Sequence, residues 1–246
     1  MNIGPNTTFV LVNHSAGADV TPEWMEKCAA AIDHKLQHAW KAVYGGNNRC
    51  RAGSPTLGPD EVAVSLEGSS DVPGAGGYHT DEAVFCFRDG ASSLDSGDFA
   101  FSVIIDHEIN EANRDPGANQ WAFDGTGTMF AIETNDAVEG FSYPSPVNGV
   151  ALSDFLYPSF FDPSGKAPYS HLGKPTAPFT TAPDNGADYQ IALTVDENGE
   201  NQVTAIGNVH ASRLKAKSHP SSRSSRRGVK FVVSDADSTL KVDAQE

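Results

Sequence analysis

The stretch from Asp98 to Pro116 reads DFAFSVIIDHEINEANRDP, and the reading of the whole chain turns on it. An apolar run, Phe99 to Phe101 and Val103 to Ile105, becomes abruptly polar at Asp106-His107-Glu108, with Glu111 and Asp115 following. On a helix, His107 and Glu111 are i and i+4, so both side chains leave one face a turn apart. Glu108 sits about 100° around the axis and can reach the same cleft from its side. Ionised groups set directly after a core-forming run need partners, because an unpaired buried charge is costly. A metal ion is the partner that this residue set suits. Asp115-Pro116-Gly117 then stops the helix.

Outward from this helix the chain supplies a sheet and a second helix. Thr8 to Val12 is short, β-branched and apolar, hence a strand. Thr21-Pro22-Glu23 combines an N-cap, a proline at the first helical position and an acid at the positive dipole end. From there Trp24, Cys28, Ala31, Leu36, Trp40 and Val43 keep an approximately helical spacing up to Gly45-Gly46. Asn47 to Pro59 reads as loop. Glu61 to Leu66 alternates as a half-buried strand, and Tyr78 to Glu82 leads into a strand over Ala83 to Phe87. Downstream, Trp121–Asp124 and Thr128–Ile132 are short ordered pieces, and Tyr143 to Val150 predicts a hairpin around Asn148-Gly149. Phe155 to Phe161 forms a hydrophobic wall, and Gln190–Val195 with Val203–Ile206 predicts a C-terminal hairpin. The fold class expected is α+β: a mixed, twisted sheet packed on two long helices, about 21–44 and 98–114, with a loop-rich C-terminal half.

A chain of 246 residues can bury a full core. Its net charge of −15 disfavours nucleic acid as the main partner. The charge is uneven, since Arg213, Lys215, Lys217, Arg223, Arg226, Arg227 and Lys230 share one window without an acid. The domains expected are therefore 1–210 and a flexible, basic, Ser/Arg-rich tail over 211–246, with a short terminal strand. Nucleic-acid contact is expected only through the basic 213–230 segment. Cys28, Cys50 and Cys86 form no C-x-x-C pair, which argues for reduced, buried thiols and a cytoplasmic setting. No segment approaches the roughly 20 apolar residues that span a bilayer. The N-terminus lacks the basic region of a secretory signal.

His107-Glu108-x-x-Glu111 differs from the two-histidine zinc helix motif HExxH by one residue, glutamate for the second histidine. In that motif the i, i+4 pair clamps a metal and the intervening glutamate polarises the bound water. A carboxylate reaches as far as an imidazole, so the clamp survives with a harder, more charged ligand. One divalent ion is expected, zinc first, with Mn, Fe or Ca also suited to carboxylates. Asp115 lies about 12 Å along the axis from His107, too far for the same ion unless the chain turns back, and is assigned a supporting role. Glu133 is the better third ligand, and Asp136, three residues on, could orient His107. Tyr78 and His79 are candidate substrate-binding groups; His79 is also readable as a ligand or as a satisfied structural histidine.

The order of these elements, with the HExx(E) helix and a downstream glutamate, resembles the zincin metallopeptidases, most of all the glutamate-zincin branch. The resemblance implies a zincin-like sheet over two helices, with the Ala83–Phe87 strand as the edge that aligns an extended substrate. It casts His107, Glu111 and Glu133 as metal ligands and Glu108 as general base. The longer pattern through Asp115-Pro116, Glu133, Asp136, Ser153-Asp154-Phe155 and Pro158 to Phe161 is also similar to uncharacterised bacterial and phage-encoded proteins, over roughly residues 60 to 180. Two functions follow. One is a metal-binding protein acting as a metal-dependent peptidase on peptide or protein substrates. The other is a structural component of a phage virion, capsid- or tail-associated, which contacts neighbouring virion proteins and keeps its metal site only for stability, if at all. The setting expected is host cytoplasm or virion.

Overall fold

Strand β1, Thr8–Asn13, carries the run TFVLVN, and its Phe9, Val10 and Leu11 are all fully buried. Burial of consecutive side chains means that both faces of the strand are covered, as in a parallel sheet packed on each side. The structure, a computed structural model, describes residues 3–71, 75–181, 188–195, 201–207, 232–233 and 240–241. In it β1 pairs in parallel with β2 (Arg49–Ala52) on one side and β3 (Glu61–Glu67) on the other. Next to β3 lies β5 (Val84–Phe87), also parallel, and β4 (Gly77–His79) is the antiparallel edge, giving the order β2-β1-β3-β5-β4. The chain is mixed α+β, as expected.

Two strands correct the sequence reading. The strand ending at Phe87 is interior, flanked by β3 and β4, so the edge is Gly77–His79, which read as a lead-in. Arg49–Ala52 lies in the stretch read as loop. It pairs with β1 through its backbone and buries Cys50, and its arginines reach neighbouring acids: Arg49 to Asp33 at 2.7 Å and Arg51 to Glu61 at 2.7 Å.

Helix α1, Pro22–Lys35, starts where Thr21 Oγ1 accepts from the Trp24 N–H at 3.2 Å. It continues through a π-helical turn, Leu36–Trp40, into α2, Lys41–Tyr44, which ends at Gly45 with φ 74°. Helix α3, Phe101–Arg114, begins three residues after Asp98. Asp98 instead accepts from the backbone N–H and hydroxyl of Ser142, at 2.9 and 2.8 Å. These bonds fasten the expected hairpin, β8 (Ser142–Pro144) and β9 (Ala151–Ser153).

The two long helices meet through Trp24 stacked on Phe101, centroids 5.8 Å apart, and through a buried ion pair. Lys35 Nζ donates to Asp106 Oδ2 at 2.6 Å and to the Ser153 carbonyl at 2.9 Å, and the Ser153 N–H donates to the same Asp106 oxygen at 2.9 Å. Burial pushes the Lys35 pKa down and that of Asp106 up, while their mutual attraction opposes both shifts.

These elements belong to the first of two compact units, Met1–Asp71, Ala75–Pro116 and Phe141–Asp154; the second is Val72–Gly74, Gly117–Gly140 and Phe155–Glu246. The second contains an antiparallel sheet of β6 (Trp121–Phe123), β7 (Met129–Ala131), β10 (Tyr189–Val195) and β11 (Asn201–Gly207), in the order β11-β10-β7-β6. Ala131, Tyr189, Ile191 and Val203 form its buried cluster. In the aromatic stretch Phe155 and Phe160 are fully buried, as a packing wall requires. The basic 213–230 segment lies outside the described residues; within the tail, β12 (Val232–Val233) and β13 (Leu240–Lys241) pair antiparallel. The three cysteines are free and buried. Among the described residues no helix is long and apolar enough to cross a membrane.

Removing one member of the Lys35–Asp106 pair strands the other charge in the core. Lys35→Ala is expected to lower the unfolding free energy by about 3–5 kcal/mol in urea titration, whereas Lys35→Met with Asp106→Leu should recover much of that loss. An unchanged K35A midpoint would show that the pair does not carry the helix contact.

Candidate metal centre

Helix α3 is buried on nearly every side, which is unusual for a segment holding three acids and a histidine within six residues. Asp106 is answered by Lys35. One residue further round the axis begins the set that the sequence singled out. His107, Glu108 and Glu111 are 8%, 5% and 0% exposed. His107 Nε2 and Glu111 Oε1 stand 3.2 Å apart, the i, i+4 juxtaposition expected of a clamp.

The edge strand brings a second histidine to this helix. His79, fully buried, has its Nε2 3.0 Å from the main-chain carbonyl of Asp115 and its Nδ1 3.6 Å from Glu108 Oε2. A carbonyl oxygen only accepts, so Nε2 carries the hydrogen. One ligand atom each from His79, Glu108 and Glu111 lies within 4.8 Å of the others. The structure thus has buried histidine and carboxylate groups that could hold a metal ion. Imidazole with carboxylate oxygen is a donor set that suits zinc and manganese.

Asp115 takes part through its main chain. Its N–H donates to the Glu111 carbonyl at 2.8 Å, closing the helix, and its own carbonyl holds His79. Pro116 fixes the stop at this point, so the end of the helix and the orientation of His79 share one cause.

Strand alternation decides which residues of β4 face α3. A Cβ on Gly77 would lie 2.6 Å from Glu108 Cγ and 2.9 Å from the Phe85 carbonyl oxygen, so Gly77 is where Glu108 presses on the strand. His79, two residues on, shares that face. Tyr78 takes the other, its ring packed near Phe85 and Phe87 with centroids 4.9 and 5.7 Å away and its hydroxyl donating to Asp71 at 3.2 Å.

Glu133 and Asp136 are both buried in the second unit. The Glu133 N–H donates to the Ala131 carbonyl at 3.0 Å, just past β7. Asp136 opens a 3-10 turn, Asp136–Val138, and accepts from the Tyr189 hydroxyl at 2.8 Å.

The buried Lys35 escaped the sequence reading, though a signal existed: it lies seven residues after Cys28 and four after Ala31, on the apolar stripe of α1. No protein-family model matches the chain, and no curated protein and no solved structure matches it.

Gly77→Ala tests the packing of β4 on Glu108. A methyl group there meets a backbone oxygen as well as the side chain, so strand or helix must shift. The expected loss is about 1–3 kcal/mol of stability by thermal or urea unfolding. A wild-type melting temperature would mean that the edge strand yields at no cost.

Proposed function

We propose that this chain is a zincin-like metal-binding protein in which His107 and Glu111 clamp one divalent ion, and that it acts as a metal-dependent peptidase with Glu108 as general base. The observation that carries the reading is the placing of all three residues in one buried turn of α3, against an antiparallel edge strand of a mixed sheet. Buried carboxylates that share a turn with an imidazole can hold a cation, and the HExxE spacing directs them to one. Zinc is the first candidate, with Mn, Fe and Ca as alternatives for so carboxylate-rich a set. Glu133 enters the proposal as a further ligand, and Asp136 as the support of His107, on sequence grounds.

When bound, the ion polarises a carbonyl oxygen and lowers the pKa of water. The chain's own residues do the rest. Glu108 accepts a proton from the attacking water and returns it to the leaving amine, a role that needs a carboxylate within hydrogen-bond reach of that water. As the last strand of its sheet, β4 would be the strand on which an extended peptide could add, through main-chain hydrogen bonds.

Metal analysis of protein purified without a histidine tag tests the clamp. At least one divalent ion per chain is expected, with the clamp's ion lost in His107→Ala; a fully folded wild type that takes up no ion removes the reading. Glu133→Ala should weaken retention of that ion. Glu108→Gln should keep the clamp's ion and abolish cleavage of a broad peptide library. A wild type that holds its ion yet cleaves nothing under any metal overturns the peptidase assignment. It would leave a stabilising metal, as in a virion component, which stoichiometric presence in purified particles would check.

A further inference from the structure

We propose that the first unit holds a second divalent cation, on His79, Glu108 and Glu111, with the Glu111 carboxylate shared between this site and the His107–Glu111 clamp. The inference rests on the metal-binding reading above and adds a site that the HExxE motif does not specify.

The tautomer of His79 comes first. Its Nε2–H is committed to the Asp115 carbonyl at 3.0 Å, so in the neutral ring Nδ1 presents a lone pair, and it presents it to Glu108. Two acceptors that face one another in a buried place are repulsive unless a proton or a metal cation lies between them, and 3.6 Å is too long for a shared proton.

The spacing says which kind of cation. At 3.6 Å, His79 Nδ1 and Glu108 Oε2 are beyond the range of a hydrogen bond. Two ligands on one ion with bonds of about 2.1 Å and a tetrahedral angle stand roughly 3.4 Å apart. The His107–Glu111 distance of 3.2 Å falls near the same value. The His79–Glu108 pair is spaced as ligands of an ion are spaced, while the His107–Glu111 distance suits a hydrogen bond as well as a shared ion.

The third ligand is already in place. Glu108 and Glu111 are i and i+3 on α3, and Glu111 lies within 4.8 Å of both His79 and Glu108 through one ligand atom each. Its Oε1 faces His107. A carboxylate has two oxygens and can serve two cations, which a neutral imidazole, with one lone pair, could not. Paired ions of this kind sit about 3.5–4 Å apart. Gly77 makes the arrangement possible, since any side chain there would push Glu108 off the strand.

His79 is also held rigidly. It leaves the edge strand fully buried, and its other nitrogen is tied to the residue that closes α3. A ligand histidine is oriented in this way, by a carbonyl acceptor on the nitrogen that does not bind metal. In this arrangement Glu108 serves as ligand through one oxygen and retains the other for a proton.

The test uses the full chain, untagged, stripped of metal and titrated with Mn2+, with bound manganese measured by equilibrium dialysis and low-temperature electron paramagnetic resonance. Wild type should bind two Mn2+ per chain and show the exchange-coupled signal of a carboxylate-bridged pair. His79→Ala and Glu108→Gln should each bind one and show the uncoupled six-line signal of isolated Mn2+. Should the buried His79→Ala chain fail to fold, the wild-type spectrum decides alone, because two ions without coupling, or a single ion, overturn the shared site. One ion that is lost in His107→Ala and kept in His79→Ala overturns this inference and leaves the metal-binding reading standing. No bound manganese at all would end both.

Discussion

A lysine and an aspartate buried against one another hold the first unit in register. Lys35 and Asp106 leave α1 and α3 at the points where those helices approach the β8–β9 hairpin, and the Ser153 main chain bonds to both. Two unit charges about 3 Å apart at an effective dielectric of 20 attract by roughly 5 kcal/mol, and desolvating them costs several kcal/mol each. The pair is therefore no large source of net stability. Its effect is directional: any other rotation of α3 would leave Asp106 in the core without a cation. Because His107 and Glu108 follow directly, the interaction that sets the rotation of Asp106 also sets where these proposed site residues point.

The same helix turns in the opposite electrostatic sense within one residue. Asp106 meets a lysine supplied by the protein, whereas Glu108 and Glu111 meet imidazoles, which are cations only when protonated. The histidines beside them stand one on the helix and one on the edge strand. On the metal-binding proposal, that difference separates a structural ion pair from a cation site, and it is visible only once neighbouring elements are placed.

Much of the first unit was legible in the sequence because its signals are local. Thr21-Pro22 marks the start of α1, Pro116 the end of α3, and Asn148-Gly149 the hairpin turn, each a constraint that operates within a few residues. The HExxE spacing likewise needs nothing beyond helical geometry. What escaped was non-local. β2 is placed by pairing with β1, and a four-residue strand with one buried cysteine between two arginines looks like loop. β4 is three residues long, and its edge position follows from pairing with Phe85, not from its own composition. β7 and β10 join in one sheet across some sixty residues of chain, for which no periodicity speaks.

His79 shows the limit most clearly. In the sequence it is a histidine beside a tyrosine at the entrance to a strand, and substrate contact, ligation and plain burial all fit. Three facts from elsewhere in the unit narrow the choice: Pro116 ends α3 so that the Asp115 carbonyl is available, Gly77 lets the strand lie on Glu108, and the antiparallel edge turns residues 77 and 79 toward the helix. None is a property of His79 itself. Seen from this side, Glu111 no longer reads as a defective version of the expected histidine. An imidazole at that position would serve only the ion proposed for His107. A carboxylate is able to face both histidines, and a helix with imidazoles at both flanks is the setting in which that capacity is of use.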